Sequence, residues 1–390
     1  MCGLSAIFSY GAKAPLVDHL ELGNISNHMS ARGPDGEGQW FSTDGKVGFA
    51  HKRLAIIDTS EQGAQPMALL DNDGLERLVI TYNGEIYNFK VLRQELLEQG
   101  HQLKTKSDTE VLLHLYDRYG TNMIEKLRGM YAFVIWDKSR RGLFMARDPF
   151  GIKPLYYSDD GATIRIASQV KALLAGKKVG LSPEPAGHVG FFLLGYVPEP
   201  HTLFSDIKAL SSGTSLWLEE GGKRIYRKFF DVRTYLASKD PHPDSRDSSS
   251  QLRAALISSV RDHFVSDVPV GIFLSAGLDS ATLVGLASET ISNTLNSMTL
   301  QFKELSGSPM DEAPLAAEVA SIYGARHTTK TVRGAEFRNE IDLLFSSMDQ
   351  PSIDGANTYF VAKEAASMGL KVAISGLGGD ELFGGYPSFR

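Results

Sequence analysis

Val270-Gly271-Ile272-Phe273-Leu274-Ser275-Ala276-Gly277-Leu278-Asp279-Ser280 is an apolar run that enters a loop of small residues and leaves it into a helical pattern. A strand ending this way aims backbone N–H groups and the positive end of the next helix at one point, which makes an anion site. Outward from it, helix and strand alternate. A helix over 252–264 carries Leu252, Leu256, Ile257, Val260 and Phe264 on one face and leads into the strand expected at 268–274. Another helix begins at Ser280, a strand over 298–302 precedes a helix over 313–323, and a helix over 358–367 precedes a strand over 372–375. Such alternation predicts an α/β parallel sheet with helices on both faces and ligands at the carboxyl ends of its strands. The loop Ser375-Gly376-Leu377-Gly378-Gly379-Asp380-Glu381 follows the last strand, so it should open beside the first loop.

The other half reads differently. Short alternating apolar segments at 47–50, 54–57, 78–82, 131–136, 143–146 and 164–167 predict strands of antiparallel sheets, with helices over 89–98 and 108–118 between them. Ser107 is placed to cap the second helix. This is an α+β pattern. The stretch 238–251 (SKDPHPDSRDSSSQ) is polar and aperiodic and carries two prolines, as an exposed linker would. The expected division is therefore 1–205, a connecting segment over 206–250, and 251–390. A length of 390 residues accommodates two cores.

Charge narrows the function classes. With 46 acidic against 40 basic residues the net charge is -6, which favours neither nucleic acid nor an anionic membrane. The longest apolar runs have strand length and no leader precedes them, so the chain is read as cytoplasmic. One cysteine cannot form an internal disulfide, and its position, second in the chain, is informative. Removal of Met1 would leave a thiol and a free α-amine on Cys2. An amine with a reference pKa of about 7.7–8.0 is suited to take a thiol proton at neutral pH.

Five ordered segments carry a family likeness: Arg32-Gly33-Pro34-Asp35, His51 to Asp58, Tyr82-Asn83-Gly84-Glu85-Ile86-Tyr87-Asn88, Ser107-Asp108-Thr109-Glu110 and Arg147-Asp148-Pro149-Phe150-Gly151. With them the first half resembles the class II glutamine amidotransferase domain, an N-terminal-nucleophile fold of αββα type. The resemblance implies that Cys2 attacks the side-chain amide of glutamine and releases ammonia, with the Asn83 side chain and the Gly84 N–H as oxyanion hole. It implies that Arg53 holds the α-carboxylate through its planar fork, and that Asp108 and the Glu85 region hold the α-ammonium. His51 receives no role, and Arg147 to Gly151 is read as a structural turn.

The Ser275 to Ser280 loop resembles the pyrophosphate loop of ATP pyrophosphatases, with Ala276 where glycine is usual; a negative φ is expected there. It lacks the Gly-Lys-Ser/Thr ending of a Walker loop, so AMP and pyrophosphate are the expected products. By this resemblance Leu274, Ser275, Gly277, Asp279, Ser280, Leu300, Ser375 and Gly376 line an ATP site. Asp279 and Asp380 hold Mg²⁺ against pyrophosphate, since Mg²⁺ takes one or two carboxylates plus phosphate oxygens. The segment 349–359 (DQPSIDGANTY) resembles one near the acyl-acceptor pocket.

Together the halves resemble the asparagine synthetase family. That implies glutamine, ATP and aspartate or another small carboxylate as substrates, asparagine synthesis as the activity, and a homodimer among the assemblies allowed. Ammonia made at Cys2 would travel within the protein to an acyl-adenylate. In that family the synthetase domain continues well beyond this point, so the chain reads as stopping short. Leu377 departs from members that carry an acid in the corresponding loop, which leaves open a relative that amidates or cyclises another carboxylate. A regulatory glutaminase-like protein is the non-enzymatic alternative.

Overall fold

The computed structural model describes residues 1–237 and 248–386; most of the linker expected at 238–251 lies outside the described residues. The chain divides into two compact units, Met1–Lys239 with Asp349–Ser352, and Asp240–Met348 with Ile353–Arg390.

The first unit contains strands β1 (Gly3–Ser9), β2 (Gly36–Phe41), β3 (Val47–Arg53), β4 (Met67–Leu70), β5 (Glu76–Ile86), β6 (Gly129–Asp137), β7 (Gly142–Arg147), β8 (Tyr156–Asp159), β9 (Thr163–Ala167), β10 (Lys208–Ala209), β11 (Thr214–Glu219) and β12 (Arg224–Lys228). Its helices are α1 (His19–His28), α2 (Phe89–Glu98), α3 (Asp108–Tyr119), α4 (Val170–Ala175), α5 (Pro185–Leu194) and α6 (Val232–Ala237). The strands form two six-stranded sheets, β10-β8-β9-β1-β3-β2 and β12-β11-β7-β6-β5-β4. Every pairing in them is antiparallel.

Strand alternation makes the layers. Leu4, Ala6 and Phe8 of β1 point with Val47 and Phe49 of β3 into a core shared with Val134 and Trp136 of β6 and Leu143 and Met145 of β7. The intervening Ile7 joins Leu22, Ile25, Val170 and Leu173 in a second core under α1 and α4. On the other sheet α3 buries Val111, Leu112 and Leu115 against β5. Helix, sheet, sheet and helix is the αββα order expected from the sequence. Ser107 caps α3 by accepting the Thr109 N–H at 3.2 Å.

The expected strand at 54–57 does not form, and β3 ends at Arg53. Two side chains claim the next backbone groups: Asp35 Oδ2 accepts the Ala55 N–H at 2.8 Å, and the Cys2 sulfur occupies both polar groups of Leu54. A ladder cannot use groups already engaged.

The second unit carries β13 (Val270–Phe273), β14 (Asn296–Phe302), β15 (Arg326–Val332) and β16 (Val372–Ile374), with α7 (Ser248–His263), α8 (Leu278–Thr290), α9 (Ala313–Ile322), α10 (Gly334–Ser347), α11 (Gly355–Ser367) and α12 (Gly379–Phe383). The strands form one parallel sheet in the order β15-β14-β13-β16. Val260 of α7, Val284 and Ala287 of α8, and Ala316 and Ala320 of α9 pack with Ile272 and Leu274. The chain runs outward from β13 through β14 to β15, then returns to β13's other side as β16. That reversal places a switch point between β13 and β16, where the two loops singled out in the sequence emerge.

Candidate active site

Cys2 stands immediately before β1, which lies inside its sheet between β3 and β9. The Cys2 Sγ accepts the Leu54 N–H at 3.3 Å and faces the Leu54 carbonyl at 3.6 Å. Burial pushes the thiol above its ordinary value, and the Leu54 N–H, the α-amine and Lys153 oppose that rise. The α-amine in this structure belongs to Met1, one residue ahead of the amine that processing would create on Cys2. Met1 is 51% exposed as a residue and also lines the cavity around Cys2. Burial brings that amine down to about 5, which makes it a weak base for the thiol.

Asn83, Gly84 and Glu85 lie inside β5, opposite Ala132, Tyr131 and Met130 of β6, and make no hairpin turn. A Cβ on Gly84 would fall on the Met130 carbonyl oxygen, 2.6 Å from the Tyr82 ring and 2.8 Å from the Tyr131 Cα. Only glycine fits that approach. The Asn83 side chain is 1% exposed, and its Nδ2 is buried without a hydrogen-bond partner. Buried amide donors are nearly always satisfied, so an unpaired one facing a cavity calls for a ligand oxygen.

The cavity at this point is lined by Cys2, Arg53, Asn83, Gly84, Glu85 and Asp108. All six residues expected to serve glutamine are thus in one place. Asp108 begins α3, where its Oδ2 accepts the Tyr82 hydroxyl at 2.9 Å and the Ile86 N–H at 3.1 Å. Burial outweighs these bonds and lifts its carboxyl to about 6. The Arg53 guanidinium donates to the Ser60 carbonyl at 2.7 Å and to the Asp58 carbonyl, which orient it while leaving other donors of the fork. Asp58 holds that loop, accepting from the Ser60 hydroxyl at 2.6 Å and the Lys106 N–H at 3.1 Å. His51 is fully buried with Nδ1 3.1 Å from the Thr81 hydroxyl, and burial lowers it to about 3, so it stays neutral.

Gln65, Tyr82 and Lys153, to which sequence reasoning gave no role, also line the cavity. Gln65 receives the Tyr82 N–H at 2.7 Å, a contact between chain segments with no local signal. Lys153 follows Gly151 by two residues, so the turn read as structural was itself the pointer.

In the second unit the Ser275 to Ser280 loop is closed by its own hydroxyls. Ser280 Oγ accepts the Ser275 N–H at 3.1 Å, lies 2.9 Å from Ser275 Oγ, and donates to the Ser275 carbonyl at 2.9 Å. Ser275 Oγ also accepts the Gly277 N–H at 3.2 Å. Among described non-glycine residues φ is positive only at Asp58, Arg141 and Lys177, so Ala276 takes the negative φ expected. Leu274 is 2% exposed, and its N–H donates to the Met298 carbonyl while its carbonyl accepts the Thr299 hydroxyl. Its side chain therefore belongs to the core. Leu300 is half-buried in β14 opposite Lys330.

The second loop does meet the first. A Cβ on Gly376 would stand 3.0 Å from the Ser280 nitrogen and 3.1 Å from the Asp279 Cβ, and one on Gly379 would overlap the Asp279 carboxylate. Ser375 precedes this contact and accepts the Leu377 N–H at 3.3 Å, and Asp380 follows it in the first turn of α12. No group of three or more His, Cys, Asp and Glu gathers among the described residues. The Asp279 carboxylate lies against Gly379, whereas that of Asp380 lies against Gly385. Asp349, first residue of the segment that resembles one near an acceptor pocket, groups with the first unit, where its carboxylate accepts the Val170 and Lys171 N–H groups at 2.8 and 2.9 Å.

Residues 1–230 match the glutamine amidotransferase domain family, and residues 251–390 match the asparagine synthase family. Asparagine synthetase [glutamine-hydrolyzing] 1 of Bacillus subtilis is 38% identical over 393 residues, covering 100% of this chain and 60% of the relative. A putative asparagine synthetase [glutamine-hydrolyzing] 2 of Methanocaldococcus jannaschii is 33% identical, with 99% of this chain and 76% of the relative aligned. Amidase chry2 of Gibberella zeae is 31% identical across 100% of this chain and 60% of its own length. The chain thus spans about three fifths of the first of these relatives. No helix among the described residues is long and apolar enough to cross a membrane.

Proposed function

Because the chain belongs to the family of glutamine-hydrolysing asparagine synthetases, we propose that it makes ammonia from glutamine at Cys2 and uses it to amidate a carboxylate activated by ATP. The observation that carries the first half is the unpaired, buried Asn83 Nδ2 in the Cys2 cavity. Glutamine fits with its α-carboxylate toward Arg53, its α-ammonium toward Asp108, and its amide oxygen on Asn83 Nδ2 and the Gly84 N–H. The α-amine of processed Cys2 takes the thiol proton, and the thiolate adds to the amide carbon as the C=O pair moves onto oxygen. Collapse gives a thioester, the amine's proton leaves with the nitrogen as ammonia, and water releases glutamate.

In the second unit ATP would place its phosphates at the N-terminus of α8, where Asp279 and Asp380 would hold Mg²⁺ and supply charge neutralisation for the departing pyrophosphate. Engaged hydroxyls at Ser275 and Ser280 give those residues a loop-shaping part, with backbone N–H groups left to meet phosphate. The acceptor is proposed to be aspartate. Leu377 and the amidase-named relative favour a second reading, in which another carboxylate is amidated.

Glutamate release from glutamine, with and without ATP and Mg²⁺, tests the proposal in the wild-type protein and in Cys2→Ala. Loss of glutamate release with Cys2→Ala, alongside retained product formation from free ammonia, is expected. Cys2→Ala protein that hydrolyses glutamine at the wild-type rate would refute it.

A further inference from the structure

The turn after β7 is built to present one side chain. Asp148 accepts four backbone N–H groups, from Tyr131 at 3.2 Å, Phe150 at 3.1 Å, and Ile152 and Lys153 at 3.0 Å each. Arg147 donates to the carbonyls of Gly151 at 2.6 Å, Leu210 at 2.7 Å and Lys153 at 2.9 Å. Gly151 takes φ +67°, and a Cβ there would press on the Arg147 guanidinium at 3.0 Å. Two buried ions thus fix the backbone of Lys153 from both of its polar groups.

The Lys153 side chain then enters the Cys2 cavity. Lys153 is 5% exposed and lines that cavity with Cys2, Asn83, Gly84 and Glu85. Among the described residues its ammonium makes no ion pair and donates no hydrogen bond. A lone cation held by a rigid support at the wall of the cavity points to an anion arriving from the reaction. Two candidates form there in the proposed chemistry, the Cys2 thiolate and the tetrahedral oxyanion. The oxygen already has Asn83 and Gly84, which leaves the sulfur.

We propose that Lys153 is a further catalytic residue of the glutaminase site, a fixed cation that stabilises the Cys2 thiolate as it forms and again as it leaves the thioester. The inference rests on the reading of Cys2 as nucleophile. Lys153 transfers no proton; the α-amine does, and the lysine supplies only its field. Burial lowers the lysine's own proton affinity, and Glu85 opposes that most strongly, followed by Cys2. Other groups facing the site are Arg32, Asp148, Asp108 and the α-amine.

Cys2 is the chain's single cysteine, so iodoacetamide labelling reports one thiol. The experiment measures the pH dependence of that labelling, with kcat and KM for glutamine, in Met1-processed wild type, Lys153→Met and Lys153→Arg. In Lys153→Met the labelling midpoint should move up by about one pH unit and kcat should fall about ten- to a hundredfold, with KM changed less than kcat. Lys153→Arg, which keeps the charge, should recover part of both. A Lys153→Met profile that superimposes on wild type, or a rise in KM alone, overturns the proposal. If Lys153→Met does not fold, Lys153→Gln is read by the same criteria. A wild-type rate unaffected by Cys2→Ala would instead remove the nucleophile reading, which the labelling profile of Lys153 variants does not address.

Discussion

The Cys2 sulfur sits against a single peptide, 3.3 Å from the Leu54 nitrogen and 3.6 Å from the Leu54 oxygen. A neutral thiol satisfies both groups, whereas a thiolate keeps the N–H and faces an unshared carbonyl lone pair. Together with burial, this makes the resting sulfur a thiol that must be deprotonated during attack. In the proposed reaction the base is the α-amine of residue 2, which exists only after Met1 is removed. Protein that retains Met1 should hydrolyse glutamine more slowly by about a hundred- to ten-thousandfold, the usual worth of general-base help. Intact mass scored against glutamate release checks this, and full activity in the Met1-bearing fraction would refute it.

Asp108 links stability to pH in an unusual direction. Its carboxyl rises from 3.8 to about 6 in the fold, so between those values the native state binds more protons than the unfolded chain. Stability contributed by the neutral acid is complete below the unfolded value and is lost as pH rises through the folded one, amounting to about 3 kcal/mol. Asp108→Asn can still accept from Tyr82 and Ile86 without charging. It should therefore be more stable than wild type at pH 7.5 and differ little at pH 3.5, while its KM for glutamine rises at least about tenfold through loss of the ammonium partner. Denaturant melts at both pH values check the first outcome and steady-state kinetics the second.

Gly84→Ala should damage the site through the strand. The added Cβ meets the Tyr131 Cα at 2.8 Å and the Met130 carbonyl, which are backbone and cannot rotate away. Overpacking of this kind costs about 1–3 kcal/mol and would push β5 from β6, carrying the Asn83 amide off its line. Thermal unfolding should drop by several degrees, with kcat falling more steeply than KM rises; an unchanged melting temperature would refute the packing account.

How much of this was readable beforehand depended on whether a residue's partner lay nearby in sequence. The cap at Ser107, the helix over 89–98 and the alternation of β6 are local and emerge as expected. The same holds for the loop after β13, because a strand, small residues and a helix start are contiguous. The region 54–57 was misread because its backbone partners are Cys2 and Asp35, 52 and 20 residues away. Lys153 was passed over because its meaning lies in what Asp148 and Arg147 do to a turn. Asp349 illustrates the reverse: its neighbours in sequence suggested the second unit, while its carboxylate caps α4 in the first.

The contact between the two loops of the second unit yields a separable prediction. Gly379→Ala would force its Cβ into the Asp279 carboxylate, displacing the group proposed to hold Mg²⁺. In the intact protein, pyrophosphate release from ATP should fall at least about tenfold, because misplacing a charged clamp removes transition-state stabilisation. Glutamine hydrolysis without ATP should remain within about twofold, since residues in separate cores with no shared partners behave additively. Equal loss of both activities in a folded variant would show that the loops do not form a distinct nucleotide site.

Leu377 bears on the choice of acceptor. Its side chain is 82% exposed, and its N–H is tied to Ser375 Oγ at 3.3 Å, so the loop fixes the backbone but not the side chain. A carboxylate at this place could take the proton released as ammonia attacks an acyl-adenylate, which is worth about a hundred- to ten-thousandfold, and leucine cannot. Glu381, four residues on and exposed, accepts the Tyr386 hydroxyl at 3.0 Å and is the nearby acid able to substitute. If it does, Glu381→Gln should reduce product formation while Leu377→Glu in that background restores it. The measurement is pyrophosphate release and product mass in the intact protein with glutamine, ATP and Mg²⁺, across aspartate and other carboxylates including uronic acids. Asparagine formed near the common enzyme turnover of about 10 s⁻¹, unaffected by Glu381→Gln, would show that no acid in this loop is needed. Pyrophosphate released only with a different acid would instead mean that the exposed leucine belongs to a site for that acid.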